Sequence, residues 1–255
     1  MVVGIMQPYF FPYIGYFQSI HATEVFVLCD QVQFVNESWI TRNQIYWKNE
    51  QQSLYIRPQV RKPSGSRFNI DQVEIVRGGN WRRKLLKSIR HAYSKATYFE
   101  QIYPFLEGLI EYHPEKLSEF SVHTIQKICD LIGIETKLLF NSDHLMQVEE
   151  ELEDLWVQYG EVNPGIEKGQ VRVLEFCKRM GADHYTNTIA GEQLYSKELF
   201  EQHGICLSFV KNWPVEYLQF DHPLKDFVPN LSVIDVLMHV GVNGARSLLT
   251  EYELV

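Results

Sequence analysis

The chain has 255 residues, 45% of them hydrophobic and 13% aromatic, enough for one large core and, with 22% charged residues, too apolar for wholesale disorder. Its formal net charge of -8 weighs against a nucleic-acid partner, because such proteins must neutralise phosphates.

The first run, "VVGIM" over 2–6, reads as a buried strand. It ends in "QPYFFPYIGY", a turn rich in proline and aromatic residues where ordinary strand-to-helix turns are short and polar. "GYFQSIHA" then reads as a short helix and "EVFVLCD" as a second strand, which together make a βαβ unit. From 31 to 77 the pattern alternates between turn residues and predicts antiparallel hairpins. Helices are predicted in "NWRRKLLKSIRHAYSKA", "EQIYPFLEGLIEY" and "KLSEFSVHTIQKICDLIG", the last closed by Gly133. "IETKLLFNS" follows as a strand, and the acidic run at 149–154 reads as a solvated helix face or loop edge. "EVNPGIEKGQ" reads as a loop and "VRVLEFCKRMGA" as a helix stopped by Gly181. "DHYTNT", "IAGEQLYSKELFEQHG", "ICLSFV" and "LSVIDVLMHVG" complete a strand, loop-helix, strand, helix series. The expected fold is α/β: a Rossmann-like, mostly parallel sheet flanked by helices, with an antiparallel β-hairpin insertion near 31–77. Parallel strands are expected near 2–6, 24–30, 135–141, 184–188 and 205–210. The expected organisation is a single α/β domain over 1–255, carrying that insertion and a helical segment over 78–132.

Several chemistries find no motif. There is no GxxxxGK[ST], no GxGxxG after the first strand, and no HExxH or GxSxG. Nine histidines lie scattered without ligand spacing, so no metal is assigned and no cofactor is named. No CxxC pair occurs, and Cys129, Cys177 and Cys206 sit among apolar neighbours as expected buried thiols. The start carries no signal-peptide pattern and no run is long enough to span a bilayer, so a cytoplasmic protein is expected.

The candidate site grows from the sheet. In open parallel sheets, ligands bind beyond the carboxyl ends of the strands, where the segment after the first strand lies. Pro8 and Pro12 fix φ there, and Gly15 permits a close approach of backbone to a ligand or of helix to sheet. Tyr9, Tyr13 and Tyr16 offer flat faces and hydroxyls, and Gln7 an amide at the strand tip. The competing reading is an aromatic plug over the core. Asp30, at the end of the second strand, is a candidate general base or a turn cap. Gln33, Trp39, Arg42 and Asn43 follow, with Arg42 the candidate clamp for a phosphate or carboxylate, or else a surface arginine. Asn187, Thr188, Gly191 and Tyr195 occupy a strand-to-helix loop that suits an anion or is simply a capped turn. Ser232 and Asp235 have the spacing of a capping box.

"MQPYFFPYIGYFQSI", "VLCDQVQF" and "TRNQIYWKN" together resemble the opening of the WbqC-like family, whose pattern runs Gln-Pro-x-Tyr/Phe-x-Pro-x-x-Gly-Tyr-Phe, then Asp-x-x-Gln-Phe, then Arg-Asn. The C-terminal elements resemble the family as well. Many relatives carry a histidine before the glutamine; Met6 stands there here, so no role of that histidine transfers. The resemblance implies a part in O-antigen and surface-polysaccharide (lipopolysaccharide) biosynthesis. In that setting the expected activity is a transferase that moves an acyl or aminoacyl group to a nucleotide-linked amino sugar. Asp30 and Gln7 would be catalytic, and Tyr9, Tyr13, Gly15, Gln33, Arg42, Asn43, Asn187, Gly191 and Tyr195 would bind substrate. A non-catalytic nucleotide-sugar binding protein of the same pathway is the alternative. The first strand, turn and helix also resemble the start of nucleotidylyl-transfer folds such as pantothenate synthetase, but both signature histidines are missing.

Overall fold

The structure is a computed structural model that describes residues 1–48, 52–65, 67–220 and 226–255. In chain order its first elements are β1 (Val2–Met6), α1 (Ile14–His21), β2 (Val25–Leu28), β3 (Asn43–Tyr46), β4 (Ser53–Ile56), β5 (Val60–Arg61) and β6 (Glu74–Ile75). Next come α2 (Trp81–Tyr93), α3 (Phe99–Ile110), α4 (Leu117–Ile132), β7 (Lys137–Phe140), α5 (Asn141–His144), α6 (Met146–Val162) and α7 (Lys168–Met180). The last are β8 (His184–Thr188), α8 (Lys197–Gln202), β9 (Cys206–Asn212), α9 (Val233–Ser247) and β10 (Tyr252–Leu254).

Six strands form one sheet in the order β10-β9-β8-β1-β2-β7. All neighbours run parallel except β10, which closes the edge antiparallel to β9. The chain steps outward from β1 to β2 to β7, then returns to the other side of β1 with β8. The direction of winding therefore reverses between β1 and β8, the place where open α/β sheets leave a crevice. Both faces of the sheet are covered: β2 sends Phe26 and Leu28 into one apolar cluster and Val27 and Cys29 into the other. That is why "VFVL" is apolar without alternation. The five expected parallel strands are present, and the 31–77 stretch supplies two small antiparallel pairs, β3-β4 and β5-β6. Part of that stretch, at 49–51 and 66, lies outside the described residues.

Some expectations need correction. The 161–170 segment is less of a loop than its Asn-Pro-Gly suggests, because α6 extends to Val162 and α7 starts at Lys168. Cys206 is exposed at the start of β9, while Cys29, Cys129 and Cys177 are buried. Asp235 closes no capping box. The Ser232 hydroxyl caps α9 by accepting from the Ile234 N–H, while the fully buried Asp235 accepts from Tyr93, Tyr217 and Gln219.

The segment between β1 and α1 is held by hydrogen bonds from every side. The Tyr16 hydroxyl donates to the Gln7 carbonyl at 2.8 Å, and the Phe10 N–H to the Trp39 carbonyl at 3.0 Å. The Asn43 amide donates to the carbonyls of Phe10 and Phe11 at 3.3 and 2.7 Å, and the Ser232 hydroxyl to Phe11 at 2.8 Å. The Val233 N–H reaches the Pro12 carbonyl. Phe10 and Phe11 turn inward, fully buried, with Phe10 stacked on Phe120 at 5.9 Å. Each buried ring contributes about 1.5–3 kcal/mol. Phe11 sits at φ 44°, a left-handed backbone that costs a residue with a side chain about 1–3 kcal/mol and persists only where its surroundings fix it. Tyr9 and Tyr13 turn the other way and stay partly exposed.

Asn43→Ala removes the side-chain donor to the buried Phe10 carbonyl and one of the two donors to that of Phe11. Urea unfolding should show a loss of about 1–3 kcal/mol, the cost of an unsatisfied buried polar group; an unchanged midpoint would show that the brace is dispensable.

Candidate functional site

A cleft of about 430 Å³ opens at the reversal point, beyond the carboxyl ends of β1 and β8. Six of the eleven residues expected to be catalytic or to bind substrate meet in it, Gln7, Tyr9, Tyr13, Asn187, Gly191 and Tyr195, joined by Tyr16, Trp39 and Thr188. Gln7 and Tyr9 follow β1 directly, and Asn187 lies near the end of β8. Trp39, 45% exposed, forms the opposite lip and also borders a smaller recess of about 270 Å³ against Tyr9, Pro12 and Tyr13. Burial pushes the phenols of Tyr9 and Tyr13 above their ordinary range, so both are neutral donors at physiological pH.

Two glycines make room for site side chains. A Cβ on Gly15 would lie 2.3 Å from the Tyr13 ring, and one on Gly191 would lie 2.9 Å from the Asn187 amide. Gly15 thus accommodates the tyrosine and is not itself part of the cleft lining. Asn43 is likewise buried and spent on the loop carbonyls.

The cation of the cleft is Arg172, on α7. Its Nε lies 3.0 and 3.1 Å from the two carboxylate oxygens of Glu149. Glu149 Oε1 accepts in turn from the Asn141 amide at 3.1 Å. Asn141 Oδ1, fully buried, accepts from the Asp30 N–H at 2.8 Å and the Gln31 N–H at 3.4 Å. A polar chain therefore runs from the tip of β2 through α5 and α6 to the guanidinium. Burial raises the pKa of Glu149, and the Arg172 charge opposes that rise. Glu149 belongs to the acidic run read as a solvated helix face or loop edge; its side chain is 12% exposed, whereas Glu150, Glu153 and Asp154 are exposed.

Asp30 sits beside this chain, 4% exposed, its Oδ2 accepting from the Ser142 hydroxyl at 3.2 Å. Its Oδ1 has no hydrogen-bond partner among the described residues. Cys29, not Asp30, lines the cleft, because consecutive residues of extended chain face opposite ways. Burial lifts the Asp30 carboxyl to about 6, Ser142 lowering it and Asp71 adding to the rise. Arg42 stands apart from the cleft. It pairs with the exposed Glu37 at 3.4 Å and stacks over Tyr55 at 4.5 Å. Gln33 opens on a separate polar recess.

Sequence reasoning passed over Arg172, yet a signal exists. A helix that precedes a parallel strand runs antiparallel to it, so the first turns of α7 lie at the carboxyl end of the sheet. A charged residue between the buried Val171 and Val173 is thereby placed at the crevice.

A carboxyl with a raised native pKa adds stability that is complete below its ordinary value of 3.8 and is lost as pH rises through about 6. Asp30→Asn should therefore be more stable than the native chain by about 1–2 kcal/mol at pH 7.5 and no more stable at pH 4. Urea unfolding at the two pH values checks this. Equal effects at both would mean that burial does not hold the proton.

The sequence model of the WbqC-like protein family matches residues 7–247. The uncharacterized protein Rv1507c of Mycobacterium tuberculosis strain H37Rv is 24% identical over 244 residues, which cover 95% of each chain. No solved structure matches at a significant level. The family match begins at Gln7, the first residue of the braced segment, and runs through α9: the chain belongs to the WbqC-like protein family.

Proposed function

We propose that this protein is a transferase that moves an acyl or aminoacyl group onto a nucleotide-linked amino sugar, in the assembly of O-antigen or a similar surface polysaccharide. The observation that carries the reading is the composition of the reversal-point cleft: aromatic rings of Tyr9, Tyr13 and Trp39 beside the guanidinium of Arg172. Flat rings suit a nucleobase or the apolar face of a sugar, and a guanidinium suits a diphosphate. Among the described residues Arg172 is hydrogen-bonded through Nε alone, to Glu149, and its outer nitrogens are the part proposed to meet a ligand. Gln7 and Asn187 supply amides that orient bound polar groups. The phosphate clamp thus falls to Arg172 rather than to Arg42.

An amine acceptor must lose a proton when it is acylated. Asp30, with its carboxyl near pH 6, has the basicity for that task. Its place behind the cleft wall favours the alternative, a nucleotide-sugar binding protein without turnover. Asp30→Asn separates the two. In a transferase, turnover falls at least 100-fold while ligand affinity holds, and native activity drops as pH falls below about 6. In a binding protein no turnover is found with any acyl donor.

Binding of uridine and thymidine diphosphate amino sugars, measured calorimetrically, tests the shared premise. Arg172→Ala should weaken it by about 1.5–3 kcal/mol, and Arg172→Lys should recover only part because an ammonium lacks the planar fork. If the native chain binds none of these ligands, or Arg172→Ala binds as well as native, the reading fails.

A further inference from the structure

Arg172 borders more than the aromatic cleft. A second cavity, of about 410 Å³, is lined by Gln31, Gln33, Asn69, Glu149, Lys168 and Arg172. Arg172 lines both cavities and forms the wall between them. The β2 tip separates them as well: Cys29 lines the first and Gln31 the second. Each volume falls in the range of about 300–1,000 Å³ found for small-ligand sites.

The two chambers differ in chemistry. The first is walled by aromatic rings. Among the described residues, the second is lined by three primary amides, a carboxylate, an ammonium, the Arg172 guanidinium and the aliphatic Leu152. Amides present donor and acceptor side by side, which is the pattern needed by vicinal hydroxyl groups, each of which is both. The loop that carries them is fixed. Gln33 and Asn69 form a backbone bridge, the Ile70 N–H donates to the Val32 carbonyl at 3.1 Å, and the Asp71 N–H to the Asp30 carbonyl at 3.0 Å. Lys168 is paired with Glu153, and Glu149 is held by Asn141 and Arg172.

We infer that the second chamber is a sugar subsite, which receives the polyhydroxylated ring of a nucleotide sugar whose base lies in the aromatic cleft and whose diphosphate crosses at Arg172. This rests on the functional reading above and assigns its two halves. Gln33 then becomes the residue that tells one sugar from another, because its exposed amide faces the ring's hydroxyls and not the nucleotide, while the Gln31 amide is held by the Asp71 carboxyl. Glu149, at the junction, is placed to accept from the ring's amino group.

The test compares uridine diphosphate with uridine diphosphate N-acetylglucosamine and its 2-amino and 4-amino relatives, by calorimetry on the full chain. The native protein should bind at least one of the sugar-linked ligands 10-fold or more tightly than uridine diphosphate. In Gln33→Ala that ratio should fall at least fivefold. Gln33→Trp, which fills the chamber from an exposed position, should invert it by excluding the sugar. Thermal melts of both variants confirm folding. A ratio unchanged in both variants overturns the sugar subsite while leaving the nucleotide cleft standing. Failure of the native chain to bind either class overturns the underlying reading and the subsite with it.

Discussion

An irregular segment can be buried only when its carbonyls find donors, and the turn from Gln7 to Pro12 meets that condition through partners drawn from across the chain. Tyr16, Asn43, Ser232 and Val233 each supply a donor. With the carbonyls satisfied, the backbone tolerates a left-handed Phe11, and successive side chains can split between two environments. Phe10 and Phe11 enter the core; Tyr9 and Tyr13 face the cleft. One stretch thus has members on both sides, two rings plugging the core and two lining the cleft. The same anchoring places the turn against β3 and α9, so the hairpin and the closing helix are parts of the site's frame rather than appendages.

The second constraint is electrostatic. A guanidinium in a half-buried cleft needs a counter-charge, yet a carboxylate that takes both faces of the fork would leave nothing for a ligand. Glu149 engages Nε, and Asn141 holds Glu149 in that position while accepting from the Asp30 and Gln31 N–H groups at the tip of β2. One buried amide therefore links the end of a strand to the orientation of the site's cation. Asp30 lies on this same tip, its N–H held by Asn141 and its buried carboxyl by the Ser142 hydroxyl. A strained turn on one side of the crevice and a polar chain on the other leave the space between them open at the carboxyl edge of β1 and β8.

Gly15 and Gly191 show how the two sides were fitted. Each leaves a gap filled by a neighbouring side chain, Tyr13 in one case and Asn187 in the other. A methyl group at either position would push that side chain into the cleft. These glycines act on the shape of the site through the residues they accommodate, although neither is required there by a left-handed backbone.

What was written locally could be read locally. The apolar runs, the proline spacing and the glycine stops at 133 and 181 place β1, β2, β7, β8, β9 and most helices, since strand and helix formation depend on neighbours within a few residues. Because a parallel sheet opens at its strand ends, the strand boundaries alone are enough to bring Gln7, Tyr9, Tyr13, Asn187, Gly191 and Tyr195 to one edge. Which arginine faces the cleft was not written there. Arg42 and Arg172 are both charged residues among apolar ones, and only the place of Arg172 in the first turns of a helix that precedes a parallel strand sets it apart. The packing of α7 beside the sheet turns Arg172 inward, while a local carboxylate and the Tyr55 ring hold Arg42 outside. Asn43 and Asp30 were legible as polar residues near a site, but their contacts with Phe11 and Ser142 join segments far apart in sequence. The sequence by itself determined the elements and the edge at which a ligand would enter; tertiary packing alone decided which charges reach it, because the energy that orients a buried charge comes from partners that only folding brings together.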